Sequence, residues 1–159
     1  MTGIYLLLGS NLGNRKNNLT EAIVHLKNLG QILNQSAIYQ TAAWGKTDQP
    51  DFYNQVIHFD TNLSAHELLD SILKIEQEMG RTRVIKWGER LIDIDILLYH
   101  DQILADTNLS IPHPQLELRR FALIPLAEIA GSVIHPIVQK SIHQLLENCP
   151  DKLAVQKVI

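Results

Sequence analysis

One short segment, residues 91–98, constrains the fold of this chain more than any other. It reads LIDIDILL, an alternation of apolar and polar side chains that predicts a β-strand with two different faces. The face that we predict to be buried carries Ile92, Ile94, Ile96 and Leu98. Asp93 and Asp95 share the opposite face and are separated by roughly 7 Å along the strand.

Two aspartates on one face of a strand need a physical reason. Their carboxylates repel each other unless a cation or a proton lies between them, and aspartate is a poor strand former. A sheet face that merely contacts solvent explains the pair less well than a bound cation does. Because no histidine or cysteine adjoins them in the sequence, the oxygen atoms of Asp93 and Asp95 favour Mg²⁺ that is shared with substrate phosphates.

The remaining sequence predicts a sheet around this strand. We expect strands at residues 4–8, 32–41, 54–61 and 91–99, and a short extended piece at 109–112. A first helix is expected over 19–29, and two others after Pro125 and after Ser141. A further helix should run from the capping box Ser64–Glu67 to Gly80. Its predicted buried residues are Leu68, Leu69, Ile72, Leu73 and Met79. This order predicts an α+β fold, a ferredoxin-like sandwich with a mainly antiparallel sheet and helices packed on it. We assign residues 1–159 to a single domain.

Composition and charge exclude several classes of protein. The chain has 159 residues, 45% hydrophobic and 19% charged, which is typical of a folded globular domain. Its net charge of −3 gives no overall basic field, so we expect neither nucleic acid nor a membrane as a partner. With one cysteine, neither an internal disulfide nor a cysteine-based zinc site is possible. The apolar run near the N-terminus is too short for a signal peptide or a membrane span, which predicts a cytoplasmic protein.

Cations are concentrated in one part of the sequence. Apart from Arg15, every arginine lies between Arg81 and Arg120. Because the planar guanidinium group can make two parallel hydrogen bonds to phosphate, this distribution suggests an anion site. Composition alone favours a solvated, ion-paired surface instead. Residues 81–90, however, also crowd four cations around Trp87, which a plain surface insertion does not need.

Two further residues leave alternatives open. Glu76 follows the apolar stripe of the second predicted helix, so it either has a buried partner, such as an arginine of the next loop, or borders the helix and reaches water. His113 lies between two prolines that hold the backbone extended, which could aim its imidazole at a ligand. A single histidine in a loop is more often structural, so His113 alone does not indicate a site.

Five motifs occur in order along the chain. They are GSNLG at 9–13, DQPDFYN at 48–54, GRTR at 80–83, KWGERLIDID at 86–95 and IPHP at 111–114. Together they resemble the 6-hydroxymethyl-7,8-dihydropterin pyrophosphokinase family of folate biosynthesis, and the resemblance covers nearly the whole chain. It implies that ATP donates its terminal diphosphate to the hydroxymethyl group of the pterin, which gives AMP and the pterin diphosphate. ATP and the pterin are then the partners, and we expect the chain to act as a monomer.

The resemblance also implies roles for individual residues. Asp93 and Asp95 would bind two Mg²⁺ ions, and Arg81 and Arg90 would neutralise charge on the transferred group. The implied ATP contacts are Glu76, Arg83, Trp87, Arg90, Ile96, Ser110, His113 and Arg119. The implied pterin contacts are Thr41, Ala43, Trp44, Phe52, Asn54, Trp87, Asp95 and Phe121. The chain departs from many relatives at Ala43, Trp44, Glu89 and Gln115.

Three other functions explain less of the sequence. A non-catalytic ligand-binding domain on the same fold has no need of paired aspartates or an arginine-rich segment. An RNA-binding sandwich should carry aromatic residues on its central strands and a basic face, whereas the strand at Asp93 is acidic. A kinase that releases ADP is distinguished only by its nucleotide product.

Overall fold

An antiparallel sheet forms the centre of the protein. The computed structural model describes residues 3–42, 50–80 and 91–158. The strands of the main sheet are β1 (Ile4–Ser10), β2 (Gln31–Gln35), β3 (Tyr39–Thr41), β4 (Phe52–Asp60), β5 (Asp93–Tyr99) and β8 (Val155–Lys157), and a separate hairpin contains β6 (Leu104–Ala105) and β7 (Ser110–Ile111). The helices are α1 (Arg15–Leu26), α2 (Ala65–Glu78), α3 (Arg120–Ala130) and α4 (Ile142–Glu147), with a 3₁₀ turn at Leu116–Leu118.

The order of the strands confirms the predicted ferredoxin-like sandwich. Five strands follow one another as β5-β1-β4-β3-β8, and β2 also pairs with β4. The strand expected at 32–41 is divided into β2 and β3, because Ser36 interrupts the ladder. Its hydroxyl accepts a hydrogen bond from the N–H of Val56, and its own N–H donates to the Val56 carbonyl. The sheet therefore continues past the interruption without losing backbone partners at this position.

Two layers of helix cover the two faces of the sheet. α1 and α2 pack over Ile4, Leu6 and Leu8 of β1, and α3 and α4 pack over Tyr5 and Leu7 on the opposite face. The alternation along β1 is the period-2 pattern of a strand that is buried on both faces. Among the described helices, none is long and apolar enough to cross a membrane.

The start of α2 follows its sequence, but its buried face is rotated from the predicted one. Ser64 and Glu67 form the expected capping box. The prediction that Leu73 is buried is wrong, since its side chain is 48% exposed. The buried positions are Ala65, Leu68, Ile72, Ile75 and Glu76. The inward stripe is thus centred closer to Glu76, which contacts the sheet and leaves Leu73 at the surface.

The prediction that Leu98 shares a face with Ile94 and Ile96 is wrong, because β5 contains a bulge. Ile96 pairs with Leu6 and Leu98 pairs with the adjacent Tyr5, so Leu97 is an extra residue. Such a bulge shifts the alternation by one position. Leu97 and Leu98 therefore both lie in the core under α3 and α4, whereas Ile94 and Ile96 lie under α1 and α2 as predicted.

The C-terminal part contains one helix boundary that the sequence did not predict. α3 begins at Arg120 rather than after Pro125, and the proline lies inside the helix. The helix after Ser141 is confirmed, with a capping box between Ser141 and Gln144. β8 was not predicted; it extends the sheet by pairing with β3.

Candidate active site

The paired aspartates lie at one end of the sheet face that α3 covers. Asp95 pairs with Leu7, whose side chain belongs to the core beneath α3 and α4. Because residues paired directly across strands project to the same face, the carboxylates of Asp95 and Asp93 are on that face too. Both side chains are half-buried. The predicted common face of the two aspartates thus agrees with the register of β5.

A row of paired residues crosses the sheet at this end. Asp93 pairs with Gly9, and Gly9 pairs with Asn54 of β4. A Cβ atom on Gly9 would be 2.7 Å from Asn54 Oδ1, which is closer than two such atoms can approach. The missing side chain at position 9 therefore makes room for the buried Asn54 amide, which lies against Gly9, the residue that pairs with Asp93.

The start of α3 brings a cation and an aromatic ring to the same end. The Arg119 guanidinium lies 5.7 Å from the centre of the Phe121 ring. Burial lowers the pKa of Arg119, while the charges of Asp95 and Asp93 act in the opposite direction. Arg119 Nη2 also donates to Gln115 Oε1 at 2.6 Å. Arg119 is therefore held between an amide and two carboxylates.

His113 is oriented by its own loop and remains neutral. Its Nδ1 accepts a hydrogen bond from the N–H of Gln115 at 3.2 Å, which places the proton of the neutral ring on Nε2. Burial, and next the Arg119 charge, lower the pKa of His113 to about 4, against the opposing effect of Asp93. The ring thus presents an N–H donor, rather than a positive charge, near the acidic strand.

The outer edge of β5 carries the other implied nucleotide contacts. Glu76 Oε2 accepts a hydrogen bond from Ile94 N–H at 2.8 Å, and the Leu97 carbonyl accepts one from His113 N–H at 3.0 Å. Ile96 lies between these two contacts, and its backbone groups point to the same side as those of Ile94. Its side chain is buried in the core, so only its backbone is available to a ligand. Ser110 lies in β7, which contacts β5.

The implied pterin residues lie on the opposite side of the aspartates. Thr41 of β3 pairs with Phe52 of β4, two residues before Asn54, so all three side chains share one face. Their position continues the row from Asp93 through Gly9. In the described part of the chain, the buried Thr41 hydroxyl has no hydrogen-bond partner. Thr41, Phe52 and Asn54 therefore lie on β3 and β4, whereas Glu76, Ile96 and Ser110 lie on or beside β5, and Phe121 stands with Arg119 at the start of α3.

Comparison with known proteins identifies the kind of enzyme that has this arrangement. Residues 5–131 match the family described as 7,8-dihydro-6-hydroxymethylpterin-pyrophosphokinase, abbreviated HPPK. The 2-amino-4-hydroxy-6-hydroxymethyldihydropteridine pyrophosphokinase of Aquifex aeolicus is 44% identical over 144 residues, which are 91% of this chain and 90% of the relative. The enzyme of the same name from Haemophilus influenzae is 39% identical over 138 residues, 86% of each chain. The chain belongs to the HPPK family.

The solved structures that resemble this HPPK chain support the fold. A crystal structure of Plasmodium falciparum HPPK-DHPS with pteroate matches with a TM-score of 0.74 and 19% identity. The match covers 91% of the chain described above but only 42% of the solved one. This chain thus corresponds to less than half of the fused protein.

The donor atoms of this HPPK chain fit magnesium. Asp93 and Asp95 supply carboxylate oxygens, the ligand type that Mg²⁺ prefers. Among residues 3–42, 50–80 and 91–158, no three His, Cys, Asp or Glu side chains form a metal-binding group. Two carboxylates leave most of the octahedral positions of Mg²⁺ to other oxygen atoms, such as those of water or of a phosphate.

Some predicted site residues lie outside the described ranges, and some residues of the site were not predicted. Ala43, Trp44, Arg81, Arg83, Trp87 and Arg90 belong to the first group. The residues that were not predicted include Gln115, which accepts a hydrogen bond from Arg119 and donates one to His113. In the sequence, Gln115 stands out only as a departure from relatives. The residues that were not predicted also include Arg15, whose Nη1 donates to the Asp51 carbonyl at 2.7 Å while its guanidinium lies 4.0 Å from the centre of the Tyr53 ring. Arg15 thus fixes the backbone that leads into Phe52. The sequence feature that could have drawn attention to it is its distance along the chain from all the other arginines.

Proposed function

We propose that this HPPK chain transfers the terminal diphosphate of ATP to 6-hydroxymethyl-7,8-dihydropterin over the face that carries Asp93 and Asp95. The hydroxymethyl oxygen forms a bond to the β-phosphorus, and the bond from that phosphorus to the bridging oxygen of the α-phosphate breaks. AMP leaves, and the hydroxyl proton is released. The observation that carries the proposal is the row Asn54–Gly9–Asp93, because it brings an amide that suits a pterin close to an acidic pair that suits a metal ion.

The two substrates occupy opposite sides of that row. Asn54 presents its amide to the pterin, and Phe121 stacks on or beside the ring, with Phe52 and Thr41 completing the described edge of the pocket. The amide side chain matches the donors and acceptors of a pterin, and aromatic rings match its flat surface. By similarity to the family, Ala43, Trp44 and Trp87 complete this pocket.

The phosphates of ATP lie on the side of His113 and Arg119. His113 donates its Nε2–H to a phosphate oxygen, and Arg119 adds a positive charge that Gln115 already holds in place. Glu76, Ile96 and Ser110 line the nucleoside side of β5. Arg81, Arg83 and Arg90 are assigned by resemblance to the transferred group and its neighbours.

The proposed metal ligands are Asp93 and Asp95, for two Mg²⁺ ions that are shared with the phosphates. When bound, the ions neutralise phosphate charge and align the diphosphate with the acceptor. The protein's own contribution is to hold both substrates in one geometry. This division fits a reaction in which positioning and charge neutralisation supply most of the rate enhancement.

The direct test is to identify the nucleotide product. The enzyme is incubated with ATP, magnesium and the hydroxymethyl-dihydropterin, and the mixture is separated by chromatography. AMP should form in an amount equal to the pterin diphosphate. ADP as the main product would contradict the proposal and indicate an ordinary kinase.

We also propose that residues 1–159 are one domain that acts as a monomer. One observation supports the single domain: both core clusters cover faces of the same sheet. Light scattering after gel filtration, at the concentration used for the assay, measures the mass of the active species. A dimer at that concentration would contradict the monomer.

A further inference from the structure

We infer that Asp151 is a positioning residue for this reaction, because it fixes the start of the helix that carries Arg119 and Phe121. The inference rests on the proposed function, which assigns Arg119 to the ATP phosphates and Phe121 to the pterin. Asp151 lies in the segment between α4 and β8, outside all five sequence motifs.

Both oxygens of the Asp151 carboxylate are engaged. Oδ2 accepts a hydrogen bond from the backbone N–H of Arg120 at 3.1 Å, and Oδ1 accepts one from the N–H of Leu153 at 3.0 Å. The second bond holds the carboxylate within its own turn. The first bond connects that turn to the first residue of α3, 31 positions earlier in the sequence.

α3 needs this external partner because its own sequence provides no cap. The other described α-helices are preceded by Asn14, Ser64 and Ser141, and each of these side chains accepts a hydrogen bond from a backbone N–H of the first turn that follows it. Arg119 stands at the equivalent position of α3 and makes no such bond. A guanidinium group is only a donor, so it cannot satisfy the free N–H groups at a helix start.

Charge adds to this requirement. The N-terminus of a helix carries partial positive charge, and two arginines, Arg119 and Arg120, stand at this one. The Asp151 carboxylate offsets this charge and accepts a hydrogen bond from one of the free N–H groups of the first turn.

The hydrogen bond between Arg120 and Asp151 affects residues on both the ATP side and the pterin side of the proposed site. Arg120, whose N–H is bound, lies between Arg119 and Phe121 in the sequence. A displacement of the first turn of α3 therefore moves the guanidinium and the aromatic ring together. Asp151 is itself anchored on both sides, by the buried Cys149 and by Val155 of β8, which pairs with Thr41. The segment thus links the start of α3 to the strand beside the proposed pterin pocket.

The test separates positioning from simple stabilisation of a helix. Asp151→Ala removes the acceptor, Asp151→Asn keeps one oxygen without the charge, and Ser141→Ala is the matched control. Ser141→Ala removes the cap of α4, a helix with no predicted site residue. For each full-length variant we would measure kcat, the KM for ATP and the KM for the pterin at a temperature where all are folded, together with the melting temperature.

We expect Asp151→Ala to lower kcat/KM by about 10-fold to 100-fold, the size of effect that a small misplacement of binding groups produces. The KM values for ATP and for the pterin should both rise, because both sides are displaced, and Asp151→Asn should show a smaller change of the same kind. Ser141→Ala should lower the melting temperature without changing either KM.

Two outcomes would overturn the inference. If the Asp151 variants lose only melting temperature, as the control does, Asp151 merely stabilises α3. If one KM rises and the other stays constant, the carboxylate does not move Arg119 and Phe121 together. Should Asp151→Ala fail to fold, the kinetics of Asp151→Asn decide by the same criteria. A wild-type enzyme that forms no AMP would instead refute the proposed function, and the two failures are therefore distinguishable.

Discussion

The carboxylate of Glu76 accepts a hydrogen bond from the backbone N–H of Ile94, the residue between Asp93 and Asp95. Glu76 is only 3% exposed, so the alternative that it borders its helix and reaches water is wrong. An edge strand needs partners for the backbone groups that face away from the sheet, and α2 supplies one here. The helix therefore fixes the backbone on which both predicted metal ligands stand.

Removing the Glu76 carboxylate should lower the stability of the protein. Glu76→Ala leaves the buried Ile94 N–H without this acceptor, which should lower the free energy of unfolding by about 1–3 kcal/mol. Glu76→Gln keeps an oxygen acceptor and should recover most of that loss. Urea denaturation measures the difference. Glu78→Gln, at an exposed position of the same helix, is the control. If it lowers the free energy of unfolding as much as Glu76→Ala does, the hydrogen bond from Ile94 does not explain the loss.

Asp95→Ala should abolish turnover while preserving the fold. The variant loses a metal ligand, and we expect kcat to fall by about 1000-fold or more. It also loses a repulsion with Asp93 and an attraction to Arg119, which oppose each other, so the melting temperature of the ligand-free protein should change little. Circular dichroism and the AMP assay measure the two effects, with the exposed Asp70→Ala as control. Near-normal turnover at saturating magnesium would refute the proposed metal site.

His113 should make the stability of the protein depend on pH. Its pKa is about 4 in the folded protein, against 6.5 for an ordinary histidine. Between these values the unfolded chain binds more protons, so the contribution of His113 to stability is present above pH 6.5 and is lost as the pH falls towards 4. From pH 7 to pH 4.5, the wild type should lose about 2 kcal/mol more than His113→Gln does. Equal losses in urea titrations of both proteins would contradict the burial of a neutral ring.

Gln115 should matter for ATP rather than for the pterin. Gln115→Met removes the acceptor for Arg119 Nη2, so the guanidinium must be ordered by the nucleotide itself, and the KM for ATP should rise by about 3-fold to 10-fold. Gln115→Glu should raise it further, because a carboxylate competes with phosphate for the arginine. The KM for the pterin is the internal control. An equal rise in both KM values would mean that Gln115 supports the whole loop instead.

A methyl group at Gly9 should disturb Asn54. The added Cβ atom of Gly9→Ala would be 2.7 Å from Asn54 Oδ1, so the amide must move and the KM for the pterin should rise. The free energy of unfolding should fall in the wild-type background and fall less in an Asn54→Ala background. A coupling of about 1 kcal/mol or more between the two sites is expected for atoms in direct contact. Independent effects would show that the sheet adapts without displacing Asn54.

Local patterns predicted the acidic face and the starts of α2 and α4, because these depend on residues close in sequence, whereas α1 begins four residues before the expected position. The alternation at 91–98 placed Asp93 and Asp95 on one face, and Ser64 and Ser141 marked the starts of α2 and α4. Leu98 was misplaced because a bulge depends on how two strands pair, which no single strand encodes.

The remaining errors have the same physical origin. The start of α3 was missed because its cap, Asp151, comes from a distant part of the chain. The partner of Glu76 was undecided because it is a backbone N–H on another element, and a backbone group has no sequence signature. The roles assigned to the site residues all stay predictions, and those within residues 43–49 and 81–90 also lie outside the described part of the chain.

The extra residue at Leu97 has a consequence for anyone who transfers this acidic pair into another sheet. It lets two consecutive leucines, Leu97 and Leu98, follow Asp93 and Asp95 on the same face, while Ile94, Ile96 and Tyr99 line the opposite face. A copy of the strand that pairs without the bulge would turn Leu98 to the opposite face and remove it from the core beneath α3 and α4. The bulge must therefore be transferred together with the two aspartates.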